Sequence, residues 1–354
     1  IGDSVSSAGD VNGDGLEDFF IGNATGSSAS MYVQNENGSF SVMSGPWEAD
    51  GIFEDTAALL FDADKDGDND LYVVNGGNDA TKPESFYQDR LYINTKSGFV
   101  KTDSSMPKIT SSGNTVVAAD FDNDDDLDLF VGGRIVPGKY PFPAKSYILR
   151  NDGGKEEALK YTNVTDEILP ELNDAGLVTS ALWDDFNEDG KTDLIITGEW
   201  MPIRFFENKG KHFEEVTKNI GLNESTGWWY GLEKGDVDGD GYTDYLAGNL
   251  GVKYKYIAKK DKPFEVYAND FDENGTMDIV LSYEKNGKQL PLRGRECSSQ
   301  QVPAIAVRFE TFELFADASL ADIYGQAMLD QSLHYEASVF ENSWIENQGN
   351  GKYK

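Results

Sequence analysis

The sequence predicts an all-β chain folded as a β-propeller, and three observations carry that prediction. Six nine-residue acidic phrases recur along the 354 residues. Each runs straight into a short apolar stretch of strand character. Most repeats then close on a second strand signature that ends in Asn and Gly. Repeated hairpins about 52 residues apart suit four-stranded blades packed side by side, since one such sheet cannot bury both faces alone.

The phrases begin at Asp10 (DVNGDGLED), Asp62 (DADKDGDND), Asp120 (DFDNDDDLD), Asp185 (DFNEDGKTD), Asp236 (DVDGDGYTD) and Asp270 (DFDENGTMD). A lead-in strand precedes each one: Ser4–Ala8, Thr56–Leu60, Thr115–Ala119, Thr179–Trp183, Tyr230–Lys234 and Glu265–Ala268. An apolar strand follows each: Phe19–Ile21, Leu71–Val74, Leu129–Val131, Leu194–Ile196, Tyr245–Ala247 and Ile279–Leu281. Gly76-Gly77 and Gly132-Gly133 predict turns where two of these strands stop. The closing signature is legible at MYVQNENGSF (31–40), LYINTKSGF (91–99), YILRNDGG (147–154), RFFENKGKHF (204–213) and WIENQGNGKY (344–353). Residues 1–354 therefore read as one domain. A segment over 291–339 breaks the pattern, with Ile305, Phe309, Phe312 and Phe315 at helical spacing and Ser319 with Asp322 as a capping box. It reads as a helical insertion within the sixth repeat, because the closing signature returns at Trp344.

Alternating acidic residues give each phrase a candidate metal site. Side chains at positions 1, 3 and 5 turn to a common centre, and a carbonyl at 7 with a carboxylate at 9 completes an all-oxygen shell of the kind Ca²⁺ prefers. The ligand sets are Asp10, Asn12, Asp14, Leu16 and Asp18; Asp62, Asp64, Asp66, Asp68 and Asp70; and Asp120, Asp122, Asp124, Asp126 and Asp128. The later three are Asp185, Asn187, Asp189, Lys191 and Asp193; Asp236, Asp238, Asp240, Tyr242 and Asp244; and Asp270, Asp272, Asn274, Thr276 and Asp278. Glycine at position 6 allows a turn at positive φ, except in the third phrase, where Asp125 stands there. An EF-hand shares the opening D-x-D-x-D-G but needs a bidentate Glu at position 12. Position 12 here is Ile21, Val73, Val131, Ile196, Ala247 and Leu281, so EF-hands are excluded. A single such phrase is often only a surface turn, but six at equivalent places argue for up to six structural Ca²⁺. The first, fourth and sixth loops carry an Asn among their ligands and are expected to bind more weakly than the second and fifth. Mg²⁺ prefers a smaller octahedral shell, and one Cys with two His cannot build the usual zinc sites.

Composition sets further bounds. The net charge is −33, from 63 acidic and 30 basic residues, which excludes nucleic acid and anionic membrane surfaces as obvious partners. Disorder is excluded by 39% hydrophobic and 12% aromatic content interleaved with the acids. Such clustered charge repels itself without cations, so the metal-free form should be much less stable. Cys297 is the only cysteine, so no intramolecular disulfide forms. No apolar run reaches membrane-spanning length. The opening IGDSVSSAGD has neither an initiator Met nor a signal-peptide pattern, and the chain reads as a piece of a longer polypeptide.

The loops resemble FG-GAP/VCBS repeats, the calcium-binding blades of integrin α-subunit propellers, and AGDVNGDGLEDFFIG (8–22) matches that blade pattern closely. GGRIVPGKYP (132–141), ALWDDFNEDGKTDLIITGEWMPI (181–203), GWWYGLEKGDVDGDGYTDYLAGNLG (227–251), YANDFDENGTMDIVL (267–281) and FETFELFADASLADIYG (309–325) are similar to bacterial secreted VCBS proteins. Those are related to the cartilage acidic protein group, which often carries an ASPIC/UnbV domain. The resemblance implies a seven-bladed propeller with structural Ca²⁺ in an extracellular or cell-surface protein. It implies no reaction. Only six metal loops are visible, so a seventh blade lies beyond the chain ends or is degenerate, or the propeller closes with six.

No nucleophile motif, Walker loop or dinucleotide fingerprint is present. His212 in a closing strand and His334 in the helical insertion are poor catalytic candidates. Trp228, Trp229 and Tyr230 precede the fifth loop, Trp200 follows the fourth apolar strand, Arg134, Lys139 and Tyr140 lie in the GGRIVPGKYP turn, and Lys253, Tyr254, Lys255 and Tyr256 follow Asn249. They form either a glycan or acidic-peptide site or packing between blades. The leading expectation is an extracellular binding module for protein or glycan. A polysaccharide lyase or glycosidase and a structural subunit of a larger cell-surface assembly are the alternatives.

Overall fold

The computed structural model describes residues 9–155, 158–253, 256–349 and 351–354, so the lead-in at Ser4–Ala8 lies outside the described residues. The first sheet holds β1 (Phe19–Ile21), β2 (Ser30–Gln34) and β3 (Phe40–Met43); the second holds β4 (Asp55–Phe61), β5 (Asp70–Asn75), β6 (Arg90–Thr95) and β7 (Gly98–Thr102). The third holds β8 (Ser112–Ala119), β9 (Asp128–Ile135), β10 (Tyr147–Asn151) and β11 (Tyr161–Asn163). After a single helical turn, α1 (Thr165–Ile168), the fourth holds β12 (Leu177–Asp184), β13 (Asp193–Met201), β14 (Arg204–Asn208) and β15 (Phe213–Glu215). Every pairing among these named strands is antiparallel.

The fifth sheet is split in sequence. β16 (Gly227–Gly235) and β17 (Asp244–Asn249) begin it. The chain then builds the sixth sheet from β18 (Phe264–Asn269), β19 (Asp278–Lys285), β20 (Lys288–Pro291) and β21 (Leu333–Ala337). Only afterwards does β22 (Ser343–Ile345) return to pair with β17, through Leu246↔Trp344 and its neighbours. The signature at 344–353 therefore closes the fifth repeat, not the sixth as expected. The ends of β13 and β16 also pair, at Glu199↔Trp228 and Met201↔Gly227, joining the fourth and fifth sheets into one hydrogen-bonded path.

Between β20 and β21 lie α2 (Arg295–Gln301), α3 (Ala304–Arg308), α4 (Phe312–Ala316), α5 (Leu320–Tyr324) and α6 (Gln326–Gln331). Ser319 and Asp322 form the expected capping box on α5. The apolar spacing from Ile305 to Phe315 is not one helix: Phe309 leaves helical geometry at the end of α3, and the Thr311 side chain caps α4 afresh. Residues 333–337 are strand, so His334 sits on a sheet edge and not in the helical segment.

The sheets stack in sequence order through apolar clusters. Phe20 and Met31 meet Leu71 and Tyr92 between the first and second, and Tyr72 and Leu91 meet Leu129 and Leu149 between the second and third. Phe130 and Ile148 meet Trp183 and Phe206 next, then Ile195 and Phe205 meet Tyr245 and Ile345. Central strands β5 and β13 are buried on both faces, which is why Leu71–Val74 and Leu194–Ile196 read as unbroken apolar runs rather than alternating ones. Gly132 and Gly133 continue β9 rather than ending it; a Cβ on Gly133 would lie 2.1 Å from the Lys145 carbonyl oxygen. The sixth sheet packs Phe264 and Val266 against Ile135, Leu177 and Trp200, and α2–α6 cover its other face through Ile305, Phe315, Leu320 and Ile323. Among the described residues, no core cluster joins the first sheet to the fifth or sixth. The outer face of the first sheet shows Phe40 and Val42, 45% and 62% exposed, and that of the fifth shows Leu246 and Trp344, 47% and 44% exposed.

Candidate metal centres

Each acidic phrase folds around the carboxylate of its first residue. In the third loop Asp120 Oδ1 accepts the N–H of Asn123 at 2.7 Å and Asp124 at 3.2 Å, and Oδ2 accepts that of Asp125 at 2.9 Å. Asp10, Asp62, Asp185, Asp236 and Asp270 accept backbone N–H groups in the same pattern. The fifth residue then accepts the N–H of the seventh: Asp14 from Leu16, Asp66 from Asp68, Asp124 from Asp126, Asp189 from Lys191, Asp240 from Tyr242 and Asn274 from Thr276.

These bonds hold a strained backbone. Position 6 has positive φ in every loop, including Asp125 at 71°. Position 4 does too, and it is Lys65, Asn123, Glu188 and Glu273 in four loops, with φ between 58° and 62°. A non-glycine residue there costs on the order of 1–2 kcal/mol.

The ninth residue is an anchor. Asp18, Asp70, Asp128, Asp193, Asp244 and Asp278 are all buried. One oxygen accepts the N–H of position 2 in five loops, from Val11, Ala63, Phe121, Val237 and Phe271. The other accepts an N–H from the closing strand, given by Gln34, Asn94, Asn151, Asn208 and Asn347 in the first five loops. Burial pushes the carboxyls of Asp70, Asp128 and Asp193 up to about 7, against the lowering effect of those N–H groups, and raises Asp278 as well.

The closing Asn does more than serve its own loop. The Asn94 side chain donates to the Val11 carbonyl of the preceding loop, Asn151 to Ala63, and Asn208 to Phe121, each at 2.8–2.9 Å. The same amides reach Asn69, Leu127 and Thr192 in their own loops. In the fifth repeat the Tyr353 hydroxyl takes over, donating to Phe186 while accepting from Asn347. Asn thus ties the second, third and fourth repeats each to the loop before it, and Tyr353 does so for the fifth. The sequence displayed the tie as the recurring Asn of the closing signature, whose reach to the preceding loop is a contact that no local pattern encodes.

Carboxylate oxygens of positions 1, 3 and 5 converge within 4.8 Å in the second loop (Asp62, Asp64, Asp66). Positions 1, 3 and 9 converge within that distance in the third (Asp120, Asp122, Asp128), fifth (Asp236, Asp238, Asp244) and sixth (Asp270, Asp272, Asp278). The first and fourth loops, with Asn12 and Asn187 at position 3, bring together no such carboxylate triad. In the fourth, Lys191 also pairs with Asp189 at 2.6 Å and holds its carboxyl below the usual range. Asp193 Oδ2 and Asp272 Oδ1 are buried with no hydrogen-bond partner. A buried carboxylate oxygen without a donor is costly, and a hard cation is the partner that all-oxygen bowls of this kind fit.

The aromatic candidates divide. Trp229 is core, with its Nε1 donating to Ser225 O at 2.9 Å. Trp200 is buried between Trp228, 4.7 Å away, and Phe264, 5.9 Å away, and donates to the Tyr140 hydroxyl. That hydroxyl and the Arg134 guanidinium both donate to Glu199, so Arg134, Tyr140 and Trp200 form one packed network. Tyr230 is exposed, Lys139 lies in a turn, Lys253 is exposed, and Tyr254 and Lys255 lie outside the described residues. Tyr256 stacks on Phe264 at 4.9 Å and lines a cavity of about 580 Å³ with Lys259, Lys262, Tyr283, Lys285 and Leu292. His212 gives its carbonyl to the Lys209 N–H across a tight turn.

No curated protein matches the chain. The crystal structure of the V. cholerae biofilm matrix protein Bap1 is similar at 13% identity and a TM-score of 0.37 over 78% of this chain, which spans 36% of that structure's length. The FG-GAP-like repeat matches at residues 10–73, 62–131 and 185–247, over half of the sequence and across five of the six acidic loops. With its loops, strands and closing Asn residues in that order, the chain belongs to the FG-GAP-like repeat family.

Proposed function

We propose that the protein is an extracellular, calcium-stabilised β-propeller that binds anionic glycan. The sequential stack of five sheets with apolar outer faces on the first and fifth supports a propeller in which those two faces meet further strands. Calcium fills the acidic bowls and stabilises them. Exposed loops of this kind fit the millimolar calcium outside cells better than cytosolic levels.

The observation that carries the binding reading is the cavity beside Tyr256. The chain has only 30 basic residues against 63 acidic, yet Lys259, Lys262 and Lys285 share this cavity with Tyr256, Tyr283 and Phe264. Lys262 is paired with Glu284 at 2.5 Å, which leaves Lys259 and Lys285 to meet carboxylate or sulfate groups while the tyrosines face sugar rings. Affinity electrophoresis of the calcium-loaded protein through gels containing uronic-acid or sulfated polysaccharides tests this. Retardation is expected, and Lys259→Ala or Lys285→Ala should abolish it without lowering Tm. Equal mobility in every gel, or retardation unchanged in both variants, rejects the reading.

A further inference from the structure

A second cluster of ligating side chains lies on the sixth sheet, away from the acidic phrases. Glu265 on β18 stands directly opposite Glu336 on β21, and Tyr267 directly opposite His334. Ligand atoms of Glu265, His334 and Glu336 all lie within 4.8 Å of one another. His334 Nε2 is 2.9 Å from Glu265 Oε2. Bonds of 2.0–2.2 Å to one metal place adjacent ligand atoms about 3 Å apart, so this pair already has metal-site spacing.

The surroundings hold these groups in place. Buried Glu265 accepts from the Tyr267 hydroxyl at 2.6 Å and from Gln289 Nε2 at 2.8 Å, and the Gln289 amide also donates to Ser282 Oγ at 2.8 Å. The His334 ring lies flat on Tyr267, with centroids 4.2 Å apart and planes 10° from parallel. These are the hydrogen bonds and stacking that orient metal ligands from behind. A separate observation points to a cation. Like charges directly opposite on neighbouring strands are destabilising, and among the described residues no lysine or arginine forms an ion pair with Glu265 or Glu336.

We propose that Glu265, His334 and Glu336 bind a divalent transition cation of the zinc class, at a site chemically distinct from the calcium loops. An imidazole nitrogen with two carboxylates favours Zn²⁺ or Co²⁺ over Ca²⁺, whose loops here offer oxygen alone. On binding, the Nε2–Glu265 contact is replaced by two bonds to the metal, with the imidazole proton on Nδ1. Glu336 supplies the third ligand from the exposed edge strand, and water completes the shell.

Isothermal titration of Zn²⁺ into the calcium-saturated full chain tests this, with Co²⁺ absorption as a second readout. One equivalent is expected, and His334→Ala and Glu336→Gln should each weaken it at least about tenfold while the calcium-dependent Tm stays unchanged. His212→Ala should leave it intact. Absence of Zn²⁺ binding, binding unaffected by both cluster variants, or loss with His212→Ala overturns the proposal. If His334→Ala does not fold, Glu336→Gln on the exposed edge decides it.

Discussion

The third and sixth loops spell nearly the same phrase, DFDNDDDLD and DFDENGTMD, and both bring three carboxylates within 4.8 Å, yet they are held very differently. Asp128 accepts the N–H of Phe121 and of Asn151, and the Asn151 side chain continues to the Ala63 carbonyl of the preceding loop. Asp278 accepts only the Phe271 N–H among the described residues. The strand beyond β19 runs to Pro291 and into the helical segment, so no closing Asn reaches that loop. The acidic phrase alone is enough to shape a bowl. Fastening the bowl to its sheet and to the next repeat is the work of the closing strand.

Four experiments break or sharpen that contrast. Chelation has the largest effect, because each loop held at a hundredfold excess of calcium over Kd contributes about 2.7 kcal/mol. Tm should fall steeply in EDTA, and protection of backbone amides should be lost first in the sixth loop, which has no anchor to its neighbour. An unchanged Tm removes the calcium reading altogether. Next, Asp128→Ala leaves the N–H groups of Phe121 and Asn151 without their acceptor and should cost about 2–5 kcal/mol. Asp278→Ala strands one N–H and should cost about 1–3 kcal/mol in urea unfolding, so equal losses would deny the closing strand its role.

Asn151→Ala should cost about 1–3 kcal/mol, since it strips the Ala63 carbonyl of a buried donor. In a calcium titration it should weaken the second and third loops together and leave the sixth alone. The smallest effect is on pH dependence. Burial raises the folded-state carboxyls of Asp70, Asp128 and Asp193 from 3.8 to about 7. Between those values the metal-free folded chain binds more protons than the unfolded chain, so its stability is full below pH 4 and is lost as pH rises to about 7. Calcium requires the ionised form, so its stabilising effect should grow over the same window. Thermal melts with and without EDTA should diverge as pH increases, and parallel curves would place those carboxyls outside the metal bowls.

The sequence made positions 1, 3, 5 and 9 legible, because alternating carboxylates ahead of an apolar strand have few other uses. The strands were legible for the same reason, as Leu71–Val74 in β5 and Leu194–Ile196 in β13 are continuous apolar runs where neighbours cover both faces. Position 4 was not. Lys65, Glu188 and Glu273 carry no mark of a left-handed backbone; the Asp at position 1 forces it from outside the residue. Nor could the signature at 344–353 announce its sheet, since Asn347 finds Asp244 across 103 residues and local spacing favoured the sixth repeat. Gly132-Gly133 read as a turn because a close approach to Lys145, which is what excludes a side chain there, is invisible along the chain.

The return of β22 to the fifth sheet has a consequence for the order in which the molecule is finished. Asp244 waits for Asn347, so its loop lacks its outer fastening until a segment 103 residues further along the chain has been made. The intervening sheet can collapse meanwhile around its own helices, while the fifth stays ajar. A chain cut short before Ser343 would keep every acidic phrase and still leave that sheet without its outer strand. The fastening of one loop is thereby tied to a strand made a whole sheet later.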